Sequence, residues 1–377
     1  MIARSILFLF LLSLGACQTG RVNAPSSPPP SLPAPSSTVE APQPIEKKRA
    51  LLAKEYSGSY RPIAFKELPA WPGPLLEGSW MAWTRNCMRL KAMKPDADLG
   101  RGLHPRHLSK ACQGAMRVNG KDAQAIKAYF ETYFIPYAIE GEGKFTGYFE
   151  PIYNGSRKQT KKYRHPLYNP PRKANISRAE INKGKLAGHE LVYLENPVDI
   201  FVLQIQGSAL INLEGGGQMR VGYAGNNGAT YVAIGKPMAD AGVIARDKLS
   251  LQTITHYLKT HPKDAPKWMD RNPRYIFFRE VKGKHSGPIG ALGAPLTAGH
   301  SLAIDTKFTS LGLPLWLTTT WPRTKQPLQR LVIAQDKGAG IKGPVRGDLF
   351  WGSGDQAALD AGPMNEGGSY YILLPVE

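Results

Sequence analysis

Cysteine is scarce in this chain of 377 residues. There are three, Cys17, Cys87 and Cys112, at spacings that make neither a metal cluster nor a dense disulfide framework. Histidine is thin as well: eight in all, with no H-E-x-x-H or other ligand spacing, so we expect no metal. Acidic residues are outnumbered, 29 Asp and Glu against 48 Lys and Arg, which leaves a formal net charge of +19. A chain this basic favours anionic partners. Its charge is spread along the sequence; the densest stretch, SRKQTKKYRHP at 156–166, has no RNA-binding signature or zinc-finger spacing near it. We therefore expect an anionic polymer as partner and no nucleic acid. No repeat of solenoid or propeller period is present, and the length allows two domains.

The opening MIARSILFLFLLSLGACQTG has one positive charge, Arg4, and an apolar run from Ile6 to Leu14. That run is too short for a permanent membrane helix and has the form of a secretory signal. Leu14-Gly15-Ala16-Cys17 resembles the bacterial lipobox, which implies a leader over residues 1–17 and an acylated Cys17. Gln18, in place of Asp, implies the outer membrane. Residues 18–46 are Pro, Ser and Ala with little to bury and read as an extended tether. The expected location is the periplasmic face of the outer membrane, anchored in its lipid through Cys17. In that oxidising compartment Cys87 and Cys112 are either a structural disulfide or two buried small residues.

From Ala50 to Phe134 apolar residues recur at helical spacing, as in GSWMAWTRNCMRLKAM and DAQAIKAYFETYF. Beyond, GKFTGYFEPIYNGS, DIFVLQIQGSALINL, GGGQMRVGYAG, RYIFFRE, LWLTTTW, RLVIAQD and SYYILLP are β-branched or aromatic runs bounded by Gly, Pro or Asn, and all read as strands. ISRAEINKGKLAG and TYVAIGKPMADAGVI through LSLQTITHYLKTHP add helices in the middle. The expected class is mostly β with peripheral helices, a barrel architecture.

Two motifs mislead. Gly338, Gly340 and Gly343 spell G-x-G-x-x-G, but Pro344 and a strand-like VRGDLFWGSG follow where a dinucleotide fold needs a helix. NAD is also absent outside the cytoplasm, and we expect no cofactor. Gly299 to Ala303, GHSLA, approaches a nucleophile elbow, but His300 is the last histidine of the chain, so no triad histidine can follow Ser301. Ser301 reads as a turn or strand hydroxyl.

What remains is carboxylates among glycines and aromatics. FTGYFEP (145–151), VDIFVLQIQGSALINL with RVGYAGNNGATYVAIGK (198–236), NPRYIFFRE (272–280), GALGAPLTAGHSLAID (290–305) and AQDKGAGIKGPVRGDLFWGSGDQAALDAG together resemble the MltA family of lytic transglycosylases, over nearly the whole chain past the tether. The resemblance implies a double-psi β-barrel domain with a smaller inserted β-barrel domain and a groove between them. The larger domain would comprise residues 47–152 and 271–377, and the insert 153–270. Residue by residue, the catalytic aspartate falls on Asp348 and a second, less settled one on Asp336. Groove positions fall on Thr146, Gly147, Tyr148, Gln204, Gln206, Gly207 and Ser208. Tyr148 and Tyr223 would suit sugar faces, the glutamines N-acetyl and hydroxyl groups. Glu150 is matched by a neutral residue in some members, and the Asp305 segment reads as a structural part of the barrel.

The implied activity is a peptidoglycan lytic exotransglycosylase, a carbon–oxygen lyase. Such an enzyme needs one carboxyl, because the C6 hydroxyl of N-acetylmuramic acid attacks its own C1; hydrolytic glycosidases need two. The acid role requires a carboxyl protonated near neutrality, which desolvation can supply. Leu349, Phe350 and Trp351 are suitable walls, while Arg346 and Lys342 would oppose the shift. Two other readings stay open: a wall-binding lipoprotein without cleavage, and a hydrolytic muramidase with Asp336 as its second carboxylate. Beyond the glycan strands, the partners implied are proteins of wall synthesis or hydrolysis.

Overall fold

The computed structural model describes residues 49–377 apart from 57–59, 74–75 and 284. The expected leader, tether and acylated Cys17 lie outside the described residues. Among these, no helix is long and apolar enough to cross a membrane.

The N-terminal third follows its apolar periodicity. After a short strand β1 (Tyr60–Pro62) come α1 (Leu76–Lys91), α2 (Pro105–Ala115) and α3 (Ala123–Tyr133). In α1 the buried residues Trp80, Trp83, Cys87 and Leu90 fall three or four apart, one stripe of the helix, and Trp83 reaches Phe130 and Phe134. Asp122 caps α3 by accepting from the backbone N–H groups of Gln124 and Ala125. Cys87 of α1 and Cys112 of α2 are joined by a disulfide.

Strands β2 (Phe134–Ile139) and β3 (Gly143–Glu150) follow, then β4 (Ile152–Ser156), β5 (His165–Tyr168), α4 (Arg178–Asn182), β6 (Glu190–Leu194), α5 (Pro197–Gln206), β7 (Ser208–Leu213) and β8 (Gln218–Asn226). Helices α6 (Gly235–Asp240), α7 (Leu251–Thr260) and α8 (Ala265–Met269) lead to β9 (Ile276–Glu280). The chain ends with β10 (Ser301–Ile304), β11 (Pro314–Thr320), β12 (Pro327–Asp336), β13 (Arg346–Ser353), α9 (Gly354–Ala361) and β14 (Asn365–Pro375).

These strands form two sheets. In the first, β14, β11, β12, β10, β13 and β3 pair in turn, and β3 pairs back onto β14, so six strands close a barrel; β2 and β1 extend it outside β14. Closure removes the unpaired edges an open sheet would leave. Leu302, Leu315, Leu317, Ile333, Leu349 and Ile372 are fully or almost fully buried in its core. The second sheet runs β5-β6-β4-β7-β8-β9 around Val192, Leu203, Ala209, Ile211, Val221 and Phe278. The mostly-β barrel class expected from sequence is what the chain adopts.

Three expectations change. DIFVLQIQ is a helix, α5. Asn196 accepts from the Val198 N–H at its start, Pro197 occupies its first turn, and Gly207 ends it at φ 83°. Its β-branched run misled because the helix is apolar on most sides and lies buried, so it has no polar face to betray the period. Second, β9 pairs with β8, so the second sheet continues past residue 270 to Glu280. Third, the basic excess is not evenly spread: residues 152–282, which hold the second sheet and its helices, carry 21 Lys and Arg against 10 Asp and Glu.

Candidate active site

Strand register sets the two aspartates in one row. Ala303 of β10 pairs with Asp336 of β12 on one side and with Asp348 of β13 on the other; Asp348 then pairs with Thr146 of β3, and Thr146 with Asn365 of β14. Residues opposite one another on neighbouring strands face the same side. The backbones of Asp336 and Asp348 are therefore two strand spacings apart, about 10 Å.

Two glycines make the row possible. A Cβ on Gly347 would lie 2.9 Å from Phe145 and 3.0 Å from Leu302, so only glycine lets β13 settle between β3 and β10. A Cβ on Gly147 would lie 2.6 Å from the Trp351 indole nitrogen, so only glycine lets that ring cross β3 between Thr146 and Tyr148. The floor beneath the aspartates is apolar: Tyr148, Leu296, Ala303, Ile341 and Phe350.

Asp348 sits partly buried in this setting. Thr146 donates its hydroxyl to Asp348 Oδ1 at 2.5 Å, and Arg346 Nη2 donates to Thr146 Oγ1 at 2.8 Å. A guanidinium can only donate, so it fixes the threonine hydroxyl as donor toward the carboxyl. Among the described residues Oδ2 of Asp348 takes no hydrogen bond. Burial pushes the Asp348 carboxyl up to about 6; the bond from Thr146 and the Arg346 charge pull it down, and the Asp336 charge adds a push upward. Desolvation wins that contest.

Asp336 is better supplied with donors. Oδ1 accepts from the N–H groups of Ala291 at 2.8 Å and Lys337 at 2.9 Å, and Oδ2 accepts the Tyr148 hydroxyl at 3.0 Å. Burial raises it above the ordinary carboxylate range, against the pull of those donors and of Lys337.

Facing the row is a tyrosine that sequence reasoning passed over. Tyr231 packs over the glycine loop after β12, where a Cβ on Gly340 would stand 3.3 Å from its ring. Its hydroxyl is raised above the usual tyrosine range by burial and by the Asp348 charge. The loop carrying it is fixed by two buried asparagines. Asn227 Nδ2 donates to the carbonyls of Ile176 and Pro273, and Asn272 Oδ1 accepts from Val232 N–H. The signal available was an aromatic directly after the turn sequence GNNGAT.

The other expected residues divide. Thr146, Gly147, Tyr148, Asp336 and Asp348 come together. The Tyr148 ring is buried against Phe350, however, so it offers its hydroxyl to Asp336 and no open face to a sugar. Gln204 is buried and accepts from Arg178 Nη2 at 2.7 Å, which leaves its carbonyl committed inside the second sheet. Gln206 accepts the Phe149 N–H at 2.9 Å and ties α5 to β3; Gly207 caps α5, and Ser208 is buried at the start of β7. Tyr223 is half exposed and accepts a hydrogen bond from Asn226. Ser301 is fully buried and bonded to Gln335, and Asp305 accepts from the N–H of Lys307 and Gly343. Glu150 is fully buried in a two-point pair with Arg220 at 2.8 and 3.1 Å, with Ser353 donating as well.

The chain as a whole is matched among known proteins. The family model described as the MltA specific insert domain matches residues 144–279, and that described as the 3D domain matches residues 300–374. A lytic transglycosylase, LtgG, of Burkholderia pseudomallei is 37% identical, with 88% of this chain and 98% of that one covered at a TM-score of 0.59. A membrane-bound lytic murein transglycosylase from Agrobacterium tumefaciens is 29% identical, with 84% and 98% covered at 0.77. The membrane-bound lytic murein transglycosylase A of Escherichia coli K12 is 32% identical over 244 residues, 62% of this chain, and the match spans 66% of that relative's length. E. coli MltA has been solved with bound chitohexaose; it is 25% identical, with 85% and 97% covered at a TM-score of 0.68. The chain belongs to the MltA family.

Proposed function

We propose that this chain is a lytic transglycosylase that cleaves the β-1,4 bond between N-acetylmuramic acid and N-acetylglucosamine in peptidoglycan, with Asp348 as its single acid and base. One observation carries the reading. A partly buried carboxyl held up to about 6, with one oxygen filled by Thr146 and the other unbonded among the described residues, stands where the second sheet faces the barrel.

In this reading Asp348 gives its proton from Oδ2 to the glycosidic oxygen, and the bond from C1 of muramic acid to that oxygen breaks. Charge develops at C1, and the C6 hydroxyl of the same ring bonds to it. The hydroxyl proton passes to the Asp348 carboxylate, which restores the acid. No water is consumed, and the product ends in 1,6-anhydro-N-acetylmuramic acid. Holding the ring so that its own hydroxyl lies against C1 replaces an encounter with an outside nucleophile, an advantage worth several kcal/mol. The basic second sheet suits a substrate whose lactyl and peptide carboxylates are anionic. By the lipobox reading, Cys17 anchors the enzyme in outer-membrane lipid at its periplasmic face.

A hydrolytic muramidase is disfavoured by Asp336. All three donors around it are spent within the protein, which suits a carboxylate that braces Tyr148 more than one that activates water. The test is product mass. Sacculi digested with the enzyme should yield muropeptides lighter by one water than hydrolytic products, and Asp348→Asn should abolish release while glycan still binds. Reducing ends, or activity retained in that variant, would refute the assignment.

A further inference from the structure

Tyr231 belongs to the chain around the second sheet, yet its ring packs on the barrel. It stands in the segment 227–234 between β8 and α6, and the backbone is pinned on both sides of it. Arg274 Nη1 donates to the Ala229 carbonyl at 2.9 Å, and Asn272 Oδ1 accepts the Val232 N–H at 3.2 Å. The ring reaches the barrel's loop between β12 and β13, where a Cβ on Gly340 would lie 3.3 Å from Cε1 and 3.5 Å from Cδ1. Ile341, the next residue of that loop, is part of the apolar floor under the acidic row.

The Asp348 charge acts on the Tyr231 hydroxyl, and with burial it keeps that hydroxyl above the usual tyrosine range, so it remains a phenol near neutral pH. Among the described residues this hydroxyl makes no hydrogen bond, and it is not sealed from solvent. Tyr148, the other phenol of the site, has its hydroxyl spent on Asp336. Asp348 Oδ2 and the Tyr231 hydroxyl are thus two unfilled polar groups within electrostatic reach of one another.

A hydroxyl has one hydrogen and two lone pairs. When the 1,6-anhydro ring closes, O6 sends one lone pair to C1 and its hydrogen to the Asp348 carboxylate, which leaves the other lone pair for a donor. A donor at that position fixes the two remaining directions.

We propose that the Tyr231 hydroxyl donates to O6 of the muramic acid ring and so aims it at C1. The proposal rests on the transglycosylase reading and adds a second residue to it. No proton leaves Tyr231: the O6–H bond breaks toward Asp348, the C1–O6 bond forms, and the phenol keeps its hydrogen. Asp348 gives and recovers the proton, and Tyr231 decides whether the ring's own hydroxyl or a water meets C1.

Tyr231→Phe removes the hydroxyl and keeps the ring on Gly340; a melting curve matched to wild type shows that the variant folds. With solubilised peptidoglycan as substrate, the full chain carrying this change should lose about tenfold in kcat with KM within about twofold, the pattern of a contact made in the transition state. The sharper readout is the product. With O6 no longer held and water free to attack, the ratio of newly formed reducing ends to anhydro ends should rise by up to about tenfold. A merely structural role would slow both products alike and leave that ratio where it was. An unchanged ratio, or a loss confined to KM, overturns the assignment of Tyr231, while anhydro ends from the wild type leave the role of Asp348 standing. A wild type that forms no anhydro ends overturns the transglycosylase reading and this inference with it.

Discussion

Replacing Thr146 by valine keeps the shape of the side chain and removes the hydroxyl that stands between Arg346 and Asp348. Two effects on the carboxyl disappear together: the bond at 2.5 Å to Oδ1, and the fixed approach of a guanidinium at 2.8 Å from the lost oxygen. Both hold the carboxyl down. A hydrogen bond to a charged group contributes about 1.5–3 kcal/mol. Asp348 is only partly buried, so water recovers some of this, and about 1.4 kcal/mol is a fair remainder, equal to about one pH unit. The acid therefore moves from about 6 to about 7. Since the first step of the proposed mechanism needs the protonated form, which exists below the pKa, the wild-type rate should fall as pH rises through about 6 and the variant's through about 7. Initial rates of muropeptide release between pH 4.5 and 9, each normalised to its own acid plateau, would show the variant up to about tenfold ahead at pH 8. Thr146→Ser should restore the wild-type profile. An alkaline limb that stays in place or moves to lower pH would refute the claim that Thr146 and Arg346 set the acidity of Asp348.

Three further outcomes follow from the same contacts. Asp348→Asn should stabilise the fold at high pH: a carboxyl raised to about 6 from about 3.9 costs stability as pH rises through that window, with up to about 3 kcal/mol recovered above it and none below pH 4, read as a higher melting temperature at pH 8 but not at pH 4. Cys87→Ala with Cys112→Ala opens a loop of 25 residues and should cost about 3 kcal/mol in urea unfolding, with the activity of folded protein at 25 °C kept. Glu150→Gln leaves Arg220 without its buried partner and should cost about 3 kcal/mol in the same measurement; the pH profile of the remaining folded enzyme should not move, because Glu150 supports the passage between sheets and has no contact with Asp348.

How far the sequence could be read depended on how local the determinant was. The stripe Trp80, Trp83, Cys87 and Leu90 announces α1 without help from the rest of the chain, and the runs around LWLTTTW and RLVIAQD announce β11 and β12. The segment DIFVLQIQ failed because its helix is wrapped by α7, α8 and the second sheet. Burial on nearly all sides erases the polar face that would mark a helical period, and the caps, Asn196-Pro197 and Gly207, were the better signal. The barrel's strand order was not legible at all. Its closure joins β3 to β13 and β14 across some two hundred residues, and no nearby residue records that pairing. The same holds for the row of Asp336, Ala303, Asp348 and Thr146, which is a fact of register. Family motifs supplied the residue names, but Gln204 shows their limit. A glutamine in a motif reads as a hand for a sugar, and here its carbonyl is turned inward to Arg178.

Asp336 and Asp348 also show why residue type alone does not assign a chemical role. Both are aspartates on barrel strands, both pair with Ala303, and burial raises both. They differ in what their oxygens touch. Asp336 has two backbone N–H groups and a phenol fixed on it, and a proton arriving there would have to displace a donor that the fold itself positions. Asp348 has one hydroxyl on one oxygen, and that hydroxyl is held as a donor by Arg346, so the second oxygen is the natural seat of the proton. Paired acids whose surroundings diverge in this way suit different roles, and in the proposed mechanism Asp348 moves the proton while Asp336 holds the frame. The apolar floor of Leu296, Ile341 and Phe350 raises both carboxyls, and the uneven supply of donors leaves one of them able to give a proton away.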